Sequence, residues 1–179
     1  MDDVRAGSEP MGERTGASSG DPVRRYMVVA NQTLGADELV SVIRDRAAAS
    51  PSDVWIVVPA TGAGDLAGRS VPMTPMPVMG GILTVPASPE EGRRLAEDKL
   101  RAALGQLSAA GIRAGGEVGD PDPVCAVRDA LESRQFDEII VSTLPERVSR
   151  WLHQDLPRRL ERRFHLPVTH IESREPPTR

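Results

Sequence analysis

Apolar residues recur along the chain in two rhythms. Short continuous apolar runs, the mark of strands buried on both faces, stand at Tyr26-Met-Val-Val-Ala30, Val54-Trp-Ile-Val-Val58 and within Glu138-Ile-Ile-Val-Ser142. A weaker run spans Ile112 to Val118, softened by Gly115 and Gly116. A last one covers Leu166 to Ile171, with Pro167 near its start as an edge strand permits. Between these runs the spacing is helical. Leu39, Val40, Ile43 and Ala47 predict a helix over 37–49, ended by Pro51. Ser88-Pro-Glu-Glu91 reads as a capping box with proline at the first helical position. It opens a long helix with Leu95, Leu100, Leu104 and Leu107 as its apolar positions, closed by Gly111. Gly119-Asp-Pro-Asp-Pro123 starts another, with Asp120 or Asp122 as N-cap and Val124, Val127 and Leu131 facing inward. After the fourth strand the helical signal is split. Pro145 begins one short piece, and Asp155-Leu-Pro157 caps a second whose inner face is Leu156, Leu160 and Phe164.

The order is β-α-β-α-β-α-β-α-β. Such alternation predicts an α/β fold: one open parallel five-stranded sheet with helices on both faces and right-handed crossovers. The domain spans 23–173. Residues 1–22, rich in Gly, Ser, Glu and Asp without periodicity, read as a disordered leader, and 174–179 as a short tail. Residues 59–87 carry Pro72, Pro75, Pro77 and Pro86 with methionines between them, and predict a long loop.

Composition narrows the function classes. The chain of 179 residues carries a net charge of −4, which argues against a dedicated nucleic-acid binder. Its aromatic residues are two Trp, one Tyr and two Phe, so the core must be aliphatic. The single cysteine, Cys125, excludes an intrachain disulfide and fits a reducing cytoplasm. No apolar run is long enough for a membrane span, and Met1-Asp-Asp-Val-Arg5 lacks the apolar region of a signal peptide. All 16 glycines lie at or before Gly119.

The pattern from about Arg25 to Ile171 resembles the universal stress protein family. The resemblance rests on Val28-Val-Ala-Asn-Gln-Thr33, on Gly116-Glu-Val-Gly-Asp-Pro121 leading into a helix, and on Phe136-Asp-Glu-Ile-Ile-Val141 before a closing helix and a Leu-Pro-Val strand. It implies an adenine-nucleotide α-hydrolase-like, Rossmann-like sheet of order 3-2-1-4-5, with its switch point between strands 1 and 4. It also implies a homodimer that pairs through the terminal strand, 167–171. The departures bear on ATP. Nucleotide-binding members of the family carry an acidic residue after strand 1, where this chain has Asn31. They carry Gly-x2-Gly-x9-Gly-Ser/Thr after strand 4, where this chain has Leu144-Pro-Glu-Arg-Val-Ser-Arg150 and no glycine. Glycine there allows positive φ and close approach of an anion to the backbone. Pro145 removes an amide donor and Glu146 adds negative charge, so ATP or another adenine nucleotide is disfavoured as a cofactor.

Asn31 and Thr33 after strand 1, and Ser142 and Thr143 at the end of strand 4, fall at the switch point, where open α/β sheets place ligands. Together with Arg147 and Ser149, whose side chains suit an oxyanion, they form a candidate crevice. The competing reading is that they cap helices and satisfy strand-end backbone groups. Arg158, Arg159, Arg162 and Arg163 read as a solvated helix face or a surface for an acidic partner. His153, His165 and His170 have no metal-ligand spacing. No nucleophile–base motif supports an enzyme. The sequence therefore points to a non-catalytic, cytoplasmic stress-response or regulatory protein acting by self-association and partner binding. The alternative is a nucleotide- or anion-binding sensor using the strand 1/strand 4 crevice.

Overall fold

The computed structural model describes residues 22–60, 89–145 and 155–173. Through them run β1 (Arg24–Val29), α1 (Asp37–Ala49), β2 (Ser52–Pro59), α2 (Pro89–Ala109), β3 (Ala114–Gly119), α3 (Pro123–Ser133), β4 (Glu138–Thr143), α4 (Leu156–Phe164) and β5 (Val168–Glu172). The five strands form one parallel sheet in the order β3-β2-β1-β4-β5.

Strand alternation divides the core into two layers. Tyr26, Val28, Val54, Ile56, Val58 and Ile140 face α1 and α2, meeting Leu39, Ile43, Leu100 and Leu107. Met27, Val29, Val57, Ile139 and Val141 face α3 and α4, meeting Val127, Leu156 and Leu160. Helices therefore cover both faces, which is why the three central strands read as unbroken apolar runs. An ion pair ties the amino end of the sheet to α1. Arg46 Nη2 donates to Glu138 Oε1 at 2.8 Å, and Thr169 Oγ1 donates to the same oxygen at 2.6 Å, linking α1, β4 and β5.

Local signals set the helix ends. Asp122 caps α3, its Oδ1 accepting from Val124 N at 2.7 Å and Cys125 N at 3.1 Å, while Asp120 accepts from Asp122 N in the preceding turn. Gly111, at φ +73, turns the chain out of α2, and Ile112 N donates back to Leu107 O at 2.9 Å.

One sequence expectation needs correction, and one leucine of α2 lies off its buried stripe. Leu95 is 39% exposed, so it is not an inner position of α2. The inner stripe is Gly92, Ala96, Leu100, Ala103 and Leu107. The stripe meets β3 through Leu100, for which Gly116 leaves room: a Cβ on Gly116 would lie 2.8 Å from Leu100 Cδ1. Asp155 precedes α4 but makes no side-chain cap; its backbone is left-handed, at φ 52. The expected leader up to residue 21, the loop from residue 61, the helical piece after Pro145 and the tail lie outside the described residues. Among the described residues no helix is long and apolar enough to cross a membrane.

Candidate functional site

The parallel order sets the carboxyl ends of β1 and β4 side by side. The β1–α1 connection is a compact turn. Leu34 N donates to Asn31 O at 3.2 Å and Ala36 N to Thr33 O at 3.0 Å. Gly35 sits at φ +90 between them, a conformation that disfavours a side chain. This turn aims Thr33 across the gap between the strands, where its Oγ1 donates to Ser142 O at 3.1 Å. Asn31 points the other way, and its Nδ2 donates to Pro59 O at the end of β2 at 3.0 Å.

Successive residues of β4 continue the network on opposite faces of the sheet. Ser142 Oγ lies 3.0 Å from Ser173 Oγ, just beyond the end of β5. Thr143 Oγ1 lies 2.8 Å from His170 Nε2, and Ser173 N donates to Thr143 O at 2.8 Å. Thr33, Ser142, Thr143 and Ser173 are all at most 2% exposed. The structure thus joins Thr33 to Ser142, sets Asn31 against β2, and ties Thr143 to the edge strand. Arg147 and Ser149 lie outside the described residues.

Two members of this network are not apparent in the sequence. Ser173 follows the last strand run and carries no motif; only the β4–β5 register, which pairs Ser142 with Ile171, brings it beside Ser142. His170 pairs with Val141, one step before Thr143's row on the same face. Burial among its neighbours lowers the His170 pKa below the usual imidazole value, and the Glu172 carboxylate opposes that shift. A neutral ring suits the contact with the Thr143 hydroxyl. Among the described residues no group of His, Cys, Asp and Glu side chains is arranged to hold a metal ion.

No protein-family model matches the chain, and no curated protein matches its sequence. Solved structures do match. A universal stress protein from Archaeoglobus fulgidus superposes with a TM-score of 0.52 at 14% identity, covering 83% of this chain and 93% of that one. The fold is that of the universal stress proteins. A universal stress family protein from Burkholderia pseudomallei matches at a TM-score of 0.44 and 13% identity, covering 83% of this chain and 96% of that one. The universal stress fold accounts for the strand order. What stands at the β1/β4 switch point is a matter of this chain's own side chains: four buried hydroxyl residues, each engaged within the protein.

Proposed function

We propose that this chain is a non-catalytic regulatory or stress-response protein of the universal stress type, acting through self-association and partner binding without the family's usual mode of ATP binding. The observation that carries this reading is the bonding of the switch-point hydroxyls. Thr33, Ser142 and Thr143 spend their polar atoms on Ser142 O, Ser173 and His170. Opening these contacts to a ligand leaves buried groups to be satisfied anew, at about 1–3 kcal/mol for each one left unpaired. The sequence supports the same conclusion, because the turn after β4 has no glycine to bring backbone amides against a phosphate.

A second reading, a nucleotide- or anion-binding sensor, is favoured by one observation. Thr33 of the β1–α1 turn and Ser142 of β4 do converge at the switch point, where such ligands bind in open α/β sheets. Titration with Mg-ATP, AMP and cyclic nucleotides, followed through Trp55 and Trp151 fluorescence, separates the two. The regulatory reading expects no saturable change at millimolar nucleotide. A saturable change that Thr33→Val abolishes would establish the sensor instead.

A further inference from the structure

A groove of about 620 Å³ opens at the amino ends of the strands, on the α3 side of the sheet. It lies at the opposite end of the sheet from the β1/β4 crevice. Arg25 of β1, Asp53 and Trp55 of β2, Leu131 of α3, and Arg134 and Phe136 of the α3–β4 connection line it. Its volume falls within the ~300–1,000 Å³ typical of small-ligand sites.

Trp55 is fixed in place. Its Nε1 donates to Glu117 Oε1 at 3.0 Å. Its ring lies across Gly115 of the neighbouring strand, where a Cβ would come within 2.8 Å of Cε3. Arg134 lies over the ring, with its Cζ 3.5 Å from the ring centroid. The backbone of Arg134 is anchored too, since its N–H caps α3 by donating to Ala130 O. A guanidinium stacked by its face keeps its in-plane N–H donors available, in the fork geometry that matches a carboxylate. Arg134 makes no ion pair among the described residues, and neither does Arg25. Among the described residues, two positive charges therefore line the groove with their guanidinium donors unspent, while the Arg25 backbone N–H donates to Asp137 Oδ2 at 2.7 Å.

The rest of the lining selects among anions. Asp53 stands directly opposite Arg25 in the β1–β2 register, and Glu132 adjoins the groove. These carboxylates disfavour a doubly charged phosphate more than a single negative charge. Leu131 and Phe136, both packed against the α3-side core, offer apolar surface. We propose that the groove binds a small monocarboxylate with an apolar body. Arg134 takes the carboxylate through its fork, Arg25 adds a second positive charge, and Leu131 and Phe136 receive the apolar part.

The test is calorimetric titration of the full chain with benzoate, cyclohexanecarboxylate and phenyl phosphate. Both carboxylates should bind saturably at millimolar concentration or below, and more tightly than phenyl phosphate. Arg134→Lys keeps the charge but loses the fork, and should weaken both carboxylates roughly tenfold. Arg25→Gln provides an independent second variant and should also weaken them, while Arg159→Lys on α4 should leave them unchanged. Absence of saturable carboxylate binding would overturn the proposal. So would equal affinity of wild type, Arg134→Lys and Arg25→Gln, or tighter binding of phenyl phosphate than of benzoate.

Discussion

At the residue scale, the switch point is held by hydroxyls whose partners are other parts of the chain. Thr33→Val keeps the shape of the side chain but removes the donor to Ser142 O. It leaves a buried carbonyl short of a partner and should lower stability by about 1–2 kcal/mol, read from the shift of the urea midpoint at unchanged slope. His170 adds a pH dependence. Its folded-state pKa is lowered from 6.5 by burial, so the unfolded chain binds a proton more readily than the folded one. Stability from this site is therefore full above about pH 6.5 and falls as the pH drops from there toward the folded-state pKa. His170→Asn should flatten that acid limb in melts taken between neutral and mildly acidic pH; an unchanged limb would show that the acid loss arises elsewhere. The residue types at the ends of β1 and β4 were legible in the sequence because they end apolar runs. The engagement of Ser142 by Ser173, and of Thr143 by His170, was not. Those contacts depend on the register of two strands separated in sequence by a helix, and no spacing rule encodes it.

At the scale of elements, strands and helix starts were readable because their signals are local. Four consecutive apolar positions mark β1 and three mark β4, and Asp122 before Pro123 marks the start of α3. The inner face of α2 was harder to read, for a physical reason. Leucine spacing selects the bulkiest positions, whereas the buried stripe of α2 also runs through Gly92, Ala96 and Ala103. On β3 the small residue is Gly116, which makes room for Leu100, and Leu95 is left partly in solvent. The two positions should respond oppositely to substitution. Leu95→Gln should change stability by no more than about 0.5 kcal/mol, as exposed sites do. Ala96→Leu, at a site 3% exposed, should cost about 1–3 kcal/mol through overpacking. Thermal or urea unfolding of the two variants side by side checks the assignment, and equal costs would contradict it.

At the scale of the whole molecule, the sheet ends in β5, a short strand whose outer edge is unpaired among the described residues. Ile139 N bonds Pro167 O and Ser173 N bonds Thr143 O. In a parallel ladder the odd-numbered residues of β5 then face β4, and Val168, His170 and Glu172 direct their backbone groups outward. An edge of this kind needs covering, and a second copy of the chain would cover it. His170→Pro removes an outward donor, whereas His170→Ala removes only the side chain, so the pair of variants separates backbone pairing from imidazole contacts. The account of a self-associating regulatory protein is tested most directly by the mass of the full chain in solution, measured by light scattering during gel filtration at tens of micromolar. It predicts twice the chain mass of 19.3 kDa for wild type and His170→Ala, with a shift toward the single-chain mass for His170→Pro. A clean monomer for the wild type would contradict it.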